Sequence, residues 1–167
     1  MTDFASIREF SWSQLGASID MLQDVLEAAP DDLWSEEVDP QSFWHIAFHT
    51  IFWLDFYSSP SREGFAPPEP FGIEELSYGS VLPRAYSRAE LLGYLDRARS
   101  NARANVLQLT PETALEPADT RRGMARLELV MYTMRHTQHH AGQLIRMLRL
   151  HADTGTKWVG RVRAAIQ

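Results

Sequence analysis

The stretch from Ser42 to Tyr57, SFWHIAFHTIFWLDFY, is apolar nearly all the way round when wound as a helix, and this constrains the fold more than any other segment. Sixteen residues fall short of the ~20 that a membrane-spanning helix needs, and the stretch also carries His45, His49 and Asp55. It must therefore be enclosed by the rest of the protein. Asp39 and Pro40 just ahead of it supply a cap and a first-turn proline.

The segments that can enclose it are helical in pattern. Trp12, Leu15, Ile19, Leu22 and Leu26 alternate spacings of three and four, which predicts a first helix over Ser6 to Ala28, stopped by Pro30, Asp31 and Asp32. The third helix opens at Ser87 with a Ser-x-x-Glu capping box closed by Glu90 and carries the core stripe Leu91, Leu95, Ala98, Ala102, Val106 and Leu109. Thr110 and Pro111 end it, and a fourth helix follows from Arg126 to Leu150. Between the second and third helices, residues 58–86 hold five prolines and three glycines, which forbid a long helix and predict an extended crossover. These patterns specify an all-α, four-helix bundle, one domain over residues 1–167.

On the fourth helix Leu127, Val130, Met134, Ala141, Ile145 and Leu148 form one apolar face, and Leu129, Tyr132 and Met147 a second, separated by Glu128, Arg135 and Arg146. A second apolar face calls for cover, either from a loop or from a partner subunit, and a homodimer is expected. The formal charge of -6 argues against nucleic acid, although Arg121 to Arg163 holds nine basic residues against Glu128 and Asp153 alone. Arg121, Arg122 and Arg126 could meet an anionic substrate. The chain has no cysteine, so disulfides, thiolate metal sites and a thiol nucleophile are excluded and a cytoplasmic setting fits. No leader-like or membrane-spanning segment is expected.

His136 and His140 lie four apart on the fourth helix and project from one side, a spacing that lets two imidazoles converge on one ion. His45 and His49 repeat that spacing on the second helix, and by spacing either supplies a third ligand. Thr137 follows His136 where a zincin protease carries its general-base Glu, so that mechanism is unsupported. No Glu stands three residues before any of these histidines, which removes the di-iron carboxylate arrangement. Asp55 could orient a ligand histidine, and Trp158 in GTKWVGRV is expected to anchor the C-terminal tail on the bundle.

The aromatic, His-bearing second helix, the long crossover and HTQHHAGQLIRML on the fourth helix together resemble the DinB-like superfamily, related to bacillithiol- and mycothiol-dependent S-transferases. HTQHHAGQ is similar to that family's H-x-x-H-H-x-G-Q motif. The resemblance implies an up-up-down-down bundle, commonly dimeric, with a divalent ion such as zinc or nickel held by His49, His136 and His140. His45 and His139 become neighbours of the site. Gln143 matches the end of the motif, whereas Ala141 stands where many relatives have a basic residue. Three histidines with an open position suit thiol transfer or hydrolysis on a small thiol or other small molecule. The alternatives are a noncatalytic metal-binding stress-response bundle and a small-molecule binder walled by the second helix.

Overall fold

A computed structural model describes residues 3–35, 42–77, 84–118 and 123–163. Five helices are present and no strand appears among the described residues. The first, α1 (Phe4–Ala28), begins two residues before its expected start because the Asp3 side chain caps it, accepting from the Ala5 N–H. Its whole predicted stripe is buried. Pro30 does end α1, but it then opens a single short turn, α2 (Asp31–Ser35), which buries Trp34 and lets its indole N–H donate to the Tyr86 carbonyl at 2.9 Å.

Enclosure is what makes α3 (Phe43–Ser58) possible. Phe43, Ala47, Phe48, Ile51, Phe52 and Leu54 are wholly buried, and only a narrow strip with Trp44, His45, His49, Trp53 and Phe56 reaches partial exposure. The expected cap at Asp39-Pro40 lies outside the described residues, and Ser42 occupies the N-cap. The crossover folds back over α3: Phe71 stacks on Phe48 at 5.8 Å and on Tyr94 at 4.6 Å, and a 3-10 turn at Glu74–Leu76 follows. α4 (Arg88–Leu107) starts at the expected capping box, in which Ser87 and Glu90 satisfy each other's backbone N–H.

α5 (Arg126–His151) completes the bundle, in which α1 packs on α4 and α5, and α3 packs on the same two helices. The direction of the helices corrects the up-up-down-down expectation. Arg8, near the start of α1, donates to the Leu107 carbonyl at the end of α4, while Asp20 pairs with Arg99, so these two are antiparallel. Phe48 meets Tyr86 just before α4 and Asp55 meets Asn101 within it, so α3 and α4 are parallel. Tyr57 meets Tyr132 while His49 meets His140, so α3 and α5 are antiparallel. The order is therefore up-down-down-up. The longest connection between the four main helices, residues 59–87, joins the one sequential pair that runs parallel, as a return along the length of the bundle requires.

The second apolar face of α5 is covered from within the chain. Leu129 sits in a small cluster with Tyr57 and Ala118, flanked by Trp53, Phe56, Met124 and Tyr132, and Met147 lies in the main core. This face therefore needs no partner subunit to bury it. No helix among the described residues is long and apolar enough to cross a membrane.

Candidate metal centre

The antiparallel contact of α3 with α5 brings histidines from both helices to one point. His136 and His140, one turn apart, place their Nε2 atoms 3.2 Å from each other. His49 approaches from α3, its ring centroid 5.3 Å from that of His136 and 4.8 Å from that of His140. One ring nitrogen from each of the three lies within 4.8 Å of the others. Imidazoles at ~2.0–2.1 Å from a tetrahedral ion hold their nitrogens about 3.3 Å apart, so the α5 pair already stands at that separation, with His49 within 4.8 Å of both. Among the described residues no fourth His, Asp or Glu joins the group.

The other ring nitrogens of two of these histidines are held by acceptors. His49 Nδ1 lies 2.7 Å from Glu75 Oε2, and the other oxygen of the same carboxylate lies 3.1 Å from His45 Nε2. His140 Nδ1 lies 2.6 Å from the side-chain oxygen of Gln143. A carboxylate or amide oxygen can only accept, so in the neutral rings both Nδ1 atoms donate and each Nε2 keeps its lone pair for a cation. The donor set and its supports therefore fit a divalent ion. Burial alone would raise the Glu75 carboxyl, but the hydrogen bonds from His45 and His49 outweigh it and hold it at about 2. His140 goes the other way: burial, only partly offset by Gln143, lowers it to about 4 and keeps it neutral and able to ligate.

Of the residues singled out in the sequence, His49, His136 and His140 come together, while His45 is drawn to Glu75 and His139 stays exposed with its ring 4.9 Å from His140. Asp55 does not orient a histidine. It is buried in the α3–α4 interface, accepting from the Asn101 amide at 2.7 Å, and the supporting carboxylate is Glu75. Glu75 could not be picked out beforehand because it comes from an irregular crossover, whose path no periodicity reveals. Arg126 pairs with Glu116, and Arg121 and Arg122 lie outside the described residues. Trp158 is not the tail's anchor, being 74% exposed; Val162 and Arg163 dock instead. Thr137, where a zincin has its base, is buried and donates to the Thr133 carbonyl.

An all-helical bundle with three histidines gathered from two facing helices defines a class of proteins able to hold a single metal ion. Within that class the profile of the DinB superfamily matches residues 14–144, and the chain belongs to this superfamily. No curated protein matches the sequence.

Proposed function

We propose that this DinB-superfamily protein is a divalent-metal-dependent enzyme, with zinc or nickel held by His49, His136 and His140, that performs thiol transfer or hydrolysis on a small molecule. The observation that carries the reading is the convergence of three imidazoles whose outer nitrogens are engaged by Glu75 and Gln143. Neutral, pre-oriented histidines are costly to bury unless something uses their inward lone pairs. A divalent ion with three protein ligands and one open position supplies Lewis acidity, lowering the pKa of a water or thiol so that a nucleophile exists at neutral pH. The chain's own part is to fix the ligand geometry: α5 sets the His136–His140 spacing, and the crossover turn aims His49 through Glu75.

Elemental analysis of protein purified without added metal tests this. One zinc or nickel ion per chain is expected, falling to a trace in a variant with all three histidines changed to Ala. Protein that retains no metal and keeps its thermal stability in the triple variant would overturn the reading. A metal spectroscopically saturated by a fourth protein ligand would remove the enzymatic part of it.

A further inference from the structure

A cleft of about 620 Å³ runs beside the histidine centre between α5, α1 and the C-terminal segment. Tyr132, Arg135, His136 and His139 form its α5 side, Gln14 and Ala17 its α1 side, and Trp158 and Val159 close it from the tail. His136 thus belongs both to the metal cluster and to the cleft wall, with Tyr132 stacked beside it at 6.3 Å and 22° between ring planes.

The tail wall is built rather than loosely placed. Val162 N–H donates to the Ser13 carbonyl at 3.0 Å, Gln14 donates to the Gly160 carbonyl at 3.1 Å, and Arg163 N–H donates to buried Asp20 at 2.8 Å. Val162 also seats on Gly16, where an added Cβ would come within 2.7 Å of its Cβ. This docking holds Trp158 against the cleft with 74% of its surface exposed, so its indole is open to a molecule entering there.

The charge of the cleft is one-sided. Among the described residues no Asp or Glu lines it, in a chain of net charge -6, and Arg135 is the one guanidinium there. Arg135 makes no ion pair with any described residue. A planar guanidinium suits a carboxylate, and an indole and a phenol lining one cleft suit an apolar or aromatic body. We propose that this cleft is the substrate-admitting site of the histidine centre and that its ligand is an organic carboxylate, held by Arg135 through its charge and by Trp158 through its apolar part, with the far end reaching His136. The proposal rests on the metalloenzyme reading for what happens at His136, but not for binding.

The test uses 4-phenylbutyrate as probe and its uncharged amide as control, followed by the indole N–H resonances of isotope-labelled full-length protein, with Trp158→Phe assigning the relevant signal. Saturable movement of the Trp158 signal by the acid is expected, with affinity about tenfold weaker for the amide and about tenfold weaker in Arg135→Gln, as loss of one charge-assisted contact predicts. Arg135→Lys should recover part of that loss. A Trp158 signal that does not move at millimolar acid, or an amide that binds as well as the acid, would overturn the proposal. Running the titration on both metal-loaded and chelator-treated samples, with metal content measured in each, separates the two readings. Cleft binding by protein that retains no metal even after loading would strike only the metalloenzyme reading, and metal retention without cleft binding only this one.

Discussion

Replacing Glu75 with Gln keeps the shape of the side chain and removes the charge on which His45 and His49 converge. The carboxyl stands at about 2 against an ordinary value of 4.5, which corresponds to about 3 kcal/mol in favour of the folded, ionised form. With the side chain only 10% exposed, solvent screening removes little of this. The amide of the variant still accepts one hydrogen bond, so a net loss of about 2 kcal/mol is expected at neutral pH. Because the folded carboxyl is more acidic than the unfolded one, its stabilisation is fully present above about pH 4.5 and is lost as pH falls towards 2. Urea titrations of chelator-treated wild type and Glu75→Gln, followed by far-ultraviolet circular dichroism, measure the difference. It should persist down to about pH 4.5 and shrink below it. In metal-loaded protein the same substitution should weaken metal affinity by about ten- to a hundredfold, read by competition with a chromophoric chelator. A variant as stable as wild type at pH 7, with unchanged metal affinity, would refute the reasoning.

Gly16→Ala should lower the melting temperature by several degrees, because overpacking against Val162 costs about 1–3 kcal/mol and outweighs the helix propensity gained. Gly93→Ala, with open space around it on α4, should instead raise the melting temperature slightly, and equal effects at the two sites would show that the tail is not seated on Gly16. Burial lowers His140 to about 4 from 6.5, so the unfolded chain takes up this proton first and metal-free protein should lose stability as pH drops from about 6.5 to 4. Denaturation across that range should show a shallower slope in His140→Gln, and an unchanged slope would assign the pH dependence to other groups.

How much of this could be read in the sequence follows from which interactions are local. Helix positions were legible because burial on one face imposes a period on the chain: the stripe from Trp12 to Leu26 and the one from Leu91 to Leu109 are buried as their spacing predicts. The Ser87–Glu90 capping box is equally local and appears where it was expected. The pairing of His136 with His140 is also local, since one helical turn sets it. The third histidine is not. Spacing left His45 and His49 equivalent, family resemblance singled out His49, and the antiparallel contact of α3 with α5 is what sets His49 beside the pair while Glu75 draws His45.

What only the tertiary structure decided shares one cause, that it joins parts of the chain distant in sequence whose relation no period encodes. The up-down-down-up order, the burial of Asp55 against Asn101 and the covering of Leu129 by Tyr57 and Ala118 all depend on how helices meet. So do the gathering of Trp158 and Arg135 on one cleft and the support of His49 by an acid from the crossover. The sequence by itself determined a helical bundle and a pair of histidines one turn apart; the packing of α3, α5 and the crossover made that pair into a three-histidine centre.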